Sequence, residues 1–284
     1  MKHLTGKVAA ITGAGSGIGR ATAELLAQKG CHLAIADINE AGLQETAEIL
    51  GKYPIKVTTH VVNVGDEKAV YDWADEVEQQ HGQVHIIMNN AGVAISGTVE
   101  GMSLEEYRWI VDINFWGVVY GTKAFLPKLE KSGDGHIVNI SSVFGLASQP
   151  LMSGYNATKF AVRGFTESLR QDLEASDSCV SCTCVHPGGI KTNIAKAARH
   201  TASSEKVSGM DQATATKEFE KFFINTPEKA AKTIVTGIEK NKRRVLIGPD
   251  AKVFDLLVRL LPTSYQKIFT AGVKLQRKKA LKSA

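Results

Sequence analysis

Short apolar runs alternate with helical segments along most of this chain, and this alternation constrains the fold more than any other feature. Strands that are apolar on both faces are typical of a parallel sheet with helices packed on both sides. The pattern therefore predicts an α/β fold with a doubly wound parallel sheet, in which residues 1–250 form a single domain. The apolar runs lie at residues 7–12, 31–36, 55–62, 84–88, 136–140, 180–185 and 245–247.

The segments between these runs have apolar residues at helical spacing. Asn39 is a predicted N-cap, Ser103 begins a capping box, and Pro127 is expected to end the longest of these helices. The helices are predicted at residues 17–30, 39–50, 66–80, 103–127, 152–175 and 227–240.

Two parts of the chain depart from this rhythm. Residues 189–226 are polar, with one weak helical pattern at 212–223, and a connection of this length is usually a functional lid. Residues 251–284 contain two helical patterns, at 251–261 and 264–279, which predict a C-terminal helical extension.

Composition excludes several classes of protein. Hydrophobic residues make up 43% of the 284 residues and charged residues 22%, which is typical of a folded globular chain and excludes a disordered or collagen-like one. Four cysteines do not suggest a disulfide framework, and no secretory signal is visible. No run approaches the roughly 18 to 20 apolar residues of a membrane span. We expect a cytoplasmic protein.

The net charge of +5 originates at one end of the chain. Seven of the 34 basic residues and none of the 29 acidic ones lie in 256–284, so the remaining residues sum to −2. The same segment carries apolar stripes, and a basic amphipathic helix can lie on an anionic membrane surface. The alternative is that these stripes pack against the domain. Nucleic acid is not needed to explain the charge.

A glycine-rich turn follows the first apolar run, at residues 12–19. Glycines let a backbone approach a pyrophosphate, and the following helix N-terminus offers free N–H groups. The spacing differs from G-x-G-x-x-G because Ile18 occupies its last position. The alternative is a turn that only packs, but its place between a strand and a helix predicts nucleotide binding.

Asp37 ends the second apolar run and bears on the choice of nucleotide. A carboxylate at this point accepts hydrogen bonds from ribose hydroxyls and repels the 2′-phosphate of NADP. Ser16, Ile38 and Asn39 supply no positive charge beside it. The sequence favours NAD over NADP, although Asp37 could instead cap the next helix.

Tyr155 and Lys159 are four residues apart on a predicted helix and therefore share one face. A nearby ammonium favours a phenolate and lowers the pKa of a tyrosine. The alternative is a Tyr and Lys pair on the surface. It is less favoured because Ser142 follows the preceding predicted strand, Asn114 lies in the long predicted helix, and the Asn-Ala-Gly at 90–92 follows the fourth predicted strand.

Together these motifs resemble the short-chain dehydrogenase/reductase family over residues 4–247. The family implies a Rossmann fold, a nicotinamide cofactor and interconversion of an alcohol with a ketone or aldehyde. The shared features are T-G-x-x-x-G-x-G at 12–19, N-N-A-G at 89–92, Asn114, Ser142, Y-x-x-x-K at 155–159 and Pro187-Gly188.

The resemblance also implies roles for four catalytic residues. Tyr155 is the expected general acid/base, and Lys159 lowers its pKa and binds the nicotinamide ribose. Ser142 holds the substrate oxygen, and Asn114 holds a water that relays protons. Ser142 is favoured over Ser141 because thirteen positions separate it from Tyr155, a common family spacing.

Cofactor and substrate contacts follow from the same resemblance. Asn63 stands where the family usually has Asp, and its side-chain oxygen can still accept a hydrogen bond from adenine. The expected cofactor-binding residues are Gly13, Ser16, Gly17, Ile18, Gly19, Asp37, Asn63, Val64, Asn90, Ala91, Gly92, Tyr155, Lys159, Pro187, Gly188, Ile190 and Thr192. The expected substrate-binding residues are Val93, Ser142, Phe144, Gln149, Tyr155 and Gly189.

The predicted function is NAD(H)-dependent hydride transfer with a hydrophobic secondary alcohol or ketone, because the expected pocket is mostly apolar. Two alternatives remain open, an NADPH-dependent carbonyl reductase and a cofactor-sensing binding protein without turnover. The helices at 104–126 and 152–175 suggest, by resemblance, a homodimer or homotetramer. Cys179, Cys182, Cys184 and His186 could suggest a metal cluster, but buried thiols in a strand are favoured, and no metal is expected.

Overall fold

Seven parallel strands form one sheet in the computed structural model, which describes residues 1 and 3–283 and the side chains of residues 1 and 3–278. The sheet order is β3-β2-β1-β4-β6-β7-β9, and β5 pairs with β8 in a separate small sheet. The predicted doubly wound parallel fold is confirmed. The strands are β1 Val8–Thr12, β2 His32–Asp37, β3 Val57–Val61, β4 Ile86–Asn89, β5 Ile95–Ser96, β6 Gly135–Ile140, β7 Val180–Pro187, β8 Arg199–His200 and β9 Arg244–Ile247.

Helices cover both faces of the sheet. Ala9 and Ile11 of β1 belong to the core on one face, whereas Ala10 belongs to the core on the other. Successive residues therefore face opposite layers, as the continuous apolar runs require. The helices are α1 Gly17–Gln28, α2 Glu40–Leu50, α3 Glu67–His81, α4 Leu104–Val111, α5 Gly117–Lys131, α6 Ser153–Ala175, α7 Ala202–Ser208, α8 Gln212–Glu220, α9 Pro227–Glu239, α10 Pro249–Leu260 and α11 Tyr265–Ser283.

The longest predicted helix is divided in the structure. Ser103 and Glu106 form the expected capping box, but a π-helical turn, Asp112–Trp116, separates α4 from α5. Pro127 does not end the helix, which continues to Lys131. Proline removes one N–H, and the carbonyl that loses its partner belongs to the exposed residue Lys123, where water can replace the bond.

The predicted lid contains more structure than its sequence suggests. It carries α7 and α8, and its strand β8 pairs with β5 beyond β4. Two strands of two residues each give no periodic signal in a sequence, so neither was predicted.

The sheet places a crevice at the carboxyl ends of its strands. The chain reverses its strand order between β1 and β4, the position at which ligands bind in open α/β sheets. Among the described residues, no helix combines the length and the apolar character that crossing a bilayer requires.

Candidate active site

One continuous cavity of about 760 Å³ lies at these carboxyl ends and extends from the glycine turn to α11. Most residues predicted for cofactor and substrate line it. These are Gly13, Ser16, Gly17, Ile18, Asp37, Asn90, Ala91, Gly92, Ser142, Phe144, Gln149, Tyr155, Lys159, Pro187, Gly188, Gly189, Ile190 and Thr192.

The glycine turn is held from the neighbouring strand. Gly13 and Gly17 have φ angles of 64° and 53°, which favour glycine. The Asn90 amide Nδ2 donates to the carbonyls of Thr12 and Gly13 at 2.9 and 3.0 Å. A Cβ on Gly19 would overlap the Gly13 carbonyl oxygen. Gly19 is therefore required for packing beneath the turn and does not line the cavity.

Asp37 closes the turn from the end of β2. Its carboxylate accepts hydrogen bonds from the N–H groups of Gly15 at 2.8 Å and Asn39 at 2.9 Å. The side chain of Asn39, and not that of Asp37, caps α2 by accepting from Gly42. Asp37 is thus a partly exposed carboxylate at the cavity wall and not the helix cap.

Arg20 supports this turn and was missed in the sequence. Its guanidinium donates to the carbonyls of Gly15 and Gly42 and pairs with Glu45 at 2.7 Å. Nothing local marks this role, because Glu45 lies 25 positions away and only the packing of α1 on α2 brings it near.

Tyr155 and Lys159 lie on the inner face of α6 and are both buried. The Lys159 ammonium is 5.7 Å from the centroid of the Tyr155 ring and donates to the carbonyl of Ile140 at 3.0 Å. Burial lowers the pKa of Lys159 to about 8. Two residues from adjacent turns of α6 therefore meet the carboxyl end of β6 inside the cavity.

The pKa of Tyr155 differs from the sequence prediction. Burial raises it to about 12, and a hydrogen bond with the Ser142 side chain acts in the opposite direction. Desolvation of the phenolate outweighs the expected lowering. The tyrosine is therefore a neutral phenol at pH 7.

The two serines after β6 have separate contacts. Ser141 Oγ donates to the Lys159 carbonyl at 2.8 Å, so it faces α6. Ser142 Oγ accepts from the Phe144 N–H at 3.1 Å, and its side chain acts to lower the pKa of Tyr155. The sequence favoured Ser142 over Ser141 as the serine that holds the substrate oxygen, and this role stays a prediction.

Asn114 lies in the π-helical turn, fully buried. Its carboxamide accepts from the Val93 N–H at 2.8 Å and donates to the Val93 carbonyl at 2.9 Å. It also donates to Thr158 Oγ1 at 3.3 Å and thereby connects the loop after β4 to α6. In this arrangement the side chain positions Gly92 beside the Lys159 ammonium. The proton relay through water stays a prediction.

Comparison with known proteins identifies the family. The short chain dehydrogenase family profile matches residues 7–203. A Mycobacterium tuberculosis protein called SadH is 47% identical over 274 residues, which cover 96% of this chain and 97% of that protein.

The chain belongs to the short-chain dehydrogenase family.

Two solved members of the short-chain dehydrogenase family have the same architecture. The enzyme from Burkholderia phymatum, in complex with NAD, superposes with a TM-score of 0.85 at 31% identity and covers 94% of this chain and 97% of its own. A short-chain dehydrogenase from Mycobacterium paratuberculosis, bound to NAD, has a TM-score of 0.75 at 25% identity, with coverages of 88% and 99%.

Besides Gly19 and Asn114, three residues that the family pattern suggested lie outside the cavity of this short-chain dehydrogenase. Both backbone groups of Val93 bond to Asn114, and of the three neighbouring residues 93–95 only Ala94 and Ile95 line the cavity. Asn63 is exposed, with its side-chain oxygen bonded to the Gly65 N–H at 3.1 Å. Val64 is buried against Gly117. The structure therefore does not bring Val93, Asn63 or Val64 to the cavity wall.

His186 positions the backbone of Ser142. The sequence analysis considered it only as a possible member of a metal cluster, and did not favour that interpretation. Its Nδ1 donates to the Ser142 carbonyl at 2.9 Å, and its Nε2 lies 3.4 Å from Cys184 Sγ. Burial lowers the pKa of His186 to about 4 and raises that of Cys184 to about 12, so both are neutral at pH 7. The imidazole therefore fixes the backbone of Ser142 without adding charge.

The base of the lid is held by Asp250 at the start of α10. Its carboxylate accepts from the Gly189 N–H at 2.6 Å and from Asn225 Nδ2 at 3.1 Å. The predicted division of the chain after residue 250 falls inside α10, at the residue that anchors the lid.

Aromatic side chains form the wall opposite the glycine turn. Phe144 stacks on Phe219 with ring centroids 6.4 Å apart, and Phe219 meets Phe223 edge-on at 5.3 Å. Phe254 of α10 and Phe269 of α11 add a second pair at 5.6 Å. The C-terminal extension thus supplies part of the cavity wall, which the sequence had left as one of two alternatives.

Proposed function

We propose that this short-chain dehydrogenase transfers a hydride between NAD(H) and a large hydrophobic secondary alcohol or ketone. The observation that carries the proposal is the position of the Ser142–Tyr155–Lys159 set. It lies between a glycine turn at one end of a single cavity and an aromatic wall at the other.

The residues present fit a dinucleotide. Gly13 and Gly17 bring bare backbone to the start of α1, where a pyrophosphate meets free N–H groups. The Asp37 carboxylate lies at the cavity wall to accept ribose hydroxyls, and it disfavours a 2′-phosphate there. The NAD bound by both solved relatives also supports NAD as the cofactor.

The nicotinamide supplies or accepts the hydride, and the protein handles the proton. In the reducing direction Tyr155 donates its phenolic proton to the substrate oxygen, while Ser142 hydrogen-bonds the same oxygen and stabilises its developing charge. Lys159 stabilises the phenolate that remains. In the oxidising direction the phenolate takes the proton back.

The cavity supports a hydrophobic substrate. Phe144, Phe219 and Phe223 from one side and Phe254 and Phe269 from the other enclose the space beyond Tyr155. Burying apolar substrate surface against these rings stabilises the complex by about 25 cal/mol for each Å² removed from water.

Replacement of Tyr155 by Phe tests the proposal. The phenol is the only group removed, so kcat for reduction of a hydrophobic ketone is expected to fall about a thousandfold. NADH affinity, measured by fluorescence titration, is expected to stay within about twofold. The control is Tyr53→Phe, the same chemical change at a hydroxyl that bonds to Gln28 and Glu24 far from the cavity.

A Tyr155→Phe variant with unchanged turnover would contradict the acid/base role. No turnover by the unmodified protein on any ketone or alcohol, with intact NADH binding, would favour the cofactor-sensing alternative. Titration with NADPH tests the cofactor separately, and binding at least about tenfold tighter than NADH, or about 1.4 kcal/mol, would overturn the role given to Asp37.

We also infer self-association through α4, α5 and α6. Trp116, in the π-helical turn between α4 and α5, and Phe160, in α6, are large apolar side chains that are 42% and 37% exposed, and Leu104, the first residue of α4, is exposed as well. Burial of such a face between copies supports a dimer or tetramer, and light scattering would give its mass. The cytoplasmic location stays a prediction.

A further inference from the structure

The mouth of the cavity is bordered by apolar side chains that face solvent. Phe222, Ile224 and Ile268 line the cavity and are nevertheless 63%, 56% and 51% exposed. Their exposure keeps a large apolar area in water, which for one isolated chain is unfavourable. An apolar rim around an apolar cavity indicates that this surface binds a partner.

The two C-terminal helices also carry exposed apolar side chains. Leu256 and Leu260 of α10 are exposed, as is Leu275 of α11. We call this region the mouth surface. It consists of the α8–α9 loop, the exposed sides of α10 and α11, and the basic residues of α11. Those basic residues that the structure describes are Lys267, Lys274, Arg277 and Lys278, all exposed.

Helical spacing determines which side chains lie on each side of α11. At 100° per residue, Phe269 and Gln276 share the side that lines the cavity, and Lys267 and Lys274 share the opposite side. Ile268 and Leu275 lie between these two sides. The helix therefore presents an apolar edge with lysines on the side away from the cavity, and lysine side chains can reach along such an edge to polar headgroups.

We propose that the mouth surface docks on an anionic phospholipid membrane, with Leu260, Ile268 and Leu275 against the acyl chains and the lysines on the lipid phosphates. Docking would place the cavity mouth at the bilayer, so that lipophilic substrates pass between membrane and active site. The docking is independent of the reaction. Its use for substrate supply rests on the proposed function.

Charge and apolar exposure together favour a membrane over the other partners. Residues 256–284 carry seven basic and no acidic residues, so contact between two copies through this surface would bring like charges together. An acidic protein would satisfy the lysines but does not require a continuous apolar edge. Only an anionic bilayer matches both, since it offers phosphates and hydrocarbon in adjacent layers.

Sedimentation of the full-length protein with vesicles tests the proposal. We expect binding to vesicles of equal parts phosphatidylglycerol and phosphatidylcholine, and at least about tenfold weaker binding to phosphatidylcholine alone. Salt at about 0.5 M, where the Debye length is about 4 Å, should release most of the protein.

Matched variants separate charge from insertion. Lys267→Glu with Lys274→Glu should weaken binding to anionic vesicles at least about tenfold. The control reverses two exposed lysines on other elements, Lys68→Glu in α3 with Lys232→Glu in α9, and should leave binding within about twofold. Circular dichroism and NADH affinity verify that each variant is folded.

Leu260→Ser with Leu275→Ser removes apolar side chains and keeps every charge. We expect binding at least about tenfold weaker for this variant as well. Unchanged binding would show attachment by charge alone and would favour an acidic protein partner over membrane docking. Binding to neither kind of vesicle, or equal effects of the Lys267/Lys274 and control reversals, would overturn the proposal. Tyr155→Phe must still bind vesicles, so failure of the reaction and failure of docking are distinguishable.

Discussion

At the scale of single residues, burial favours the neutral forms of both Tyr155 and Lys159 and so determines their protonation states. The pKa of Tyr155 is raised to about 12 and that of Lys159 is lowered to about 8. At pH 7 the tyrosine therefore holds its proton and most of the lysine is still charged. In the reaction that we propose, this tyrosine gives its proton to a ketone, with a cation beside the phenolate that results.

This pair predicts a pH dependence for ketone reduction with NADH. The pKa of Lys159 lies below its ordinary value, so its charge is lost as the pH rises through about 8. We expect kcat to be constant near neutral pH and to fall above about pH 8, because the phenolate loses its stabilising cation. The measurement is the initial rate of NADH consumption between about pH 6 and pH 10.

The variant Lys159→Arg provides the comparison, since a guanidinium keeps its charge throughout this range. Its kcat is expected to be lower than that of the unmodified protein but independent of pH near 8. A profile that falls equally in both proteins would assign the titration to a different group.

At the scale of elements, the sequence signals at helix starts were accurate because they are local. Asn39 and Ser103 cap α2 and α4 as predicted, each through bonds within four residues. The π-helical turn before α5 was not predictable in this way. Its Asn114 contacts Val93 and Thr158, 21 and 44 positions away, so its contacts are tertiary.

The base of the lid gives a prediction at this scale. A Cβ on Gly189 would overlap the Phe222 carbonyl oxygen, so Gly189→Ala must displace the chain that leads from α8 to α9. We expect a loss of about 1–3 kcal/mol in the free energy of unfolding and a KM for hydrophobic ketone that rises about tenfold. Denaturant unfolding and steady-state kinetics measure the two effects.

Gly164→Ala in α6 is the matched control, because a Cβ there meets nothing within 4 Å. Alanine in a helix is more favourable than glycine by about 1 kcal/mol, so this variant should be as stable as the original or more so. If both variants behaved alike, the close contact at Gly189 would not support the lid.

At the scale of the whole molecule, the C-terminal extension completes the cavity. Tyr265 at the start of α11 is buried and accepts a hydrogen bond from the Ser148 N–H at 3.2 Å, across 117 positions of sequence. Phe269 packs on Phe254 and Tyr265 with centroids 5.6 Å apart in each case. The described residues of α10 and α11 are thus part of the cavity wall as well as of a basic surface.

Phe269→Ala should therefore change substrate affinity without changing the cofactor site. We expect the KM for a large hydrophobic ketone to rise about tenfold, since about 1–2 kcal/mol of apolar contact is lost. NADH affinity should stay within about twofold. Phe160→Ala, an equal truncation on the outer side of α6 and outside this cavity, should change neither constant in initial-rate assays.

The sequence by itself determined the parallel sheet, the glycine turn and the order of the candidate catalytic residues. Each of these depends on residues close together in the chain: the apolar runs, the spacing of the glycines, and the i, i+4 pair of Tyr155 and Lys159. Only the tertiary structure decided which residues reach the cavity. It left Val93, Asn63 and Val64 outside the cavity wall and placed part of α11 in it. It also gave Arg20, His186 and Asp250 supporting contacts that the sequence did not indicate. These outcomes depend on contacts between residues far apart in sequence and on burial, which no local pattern records.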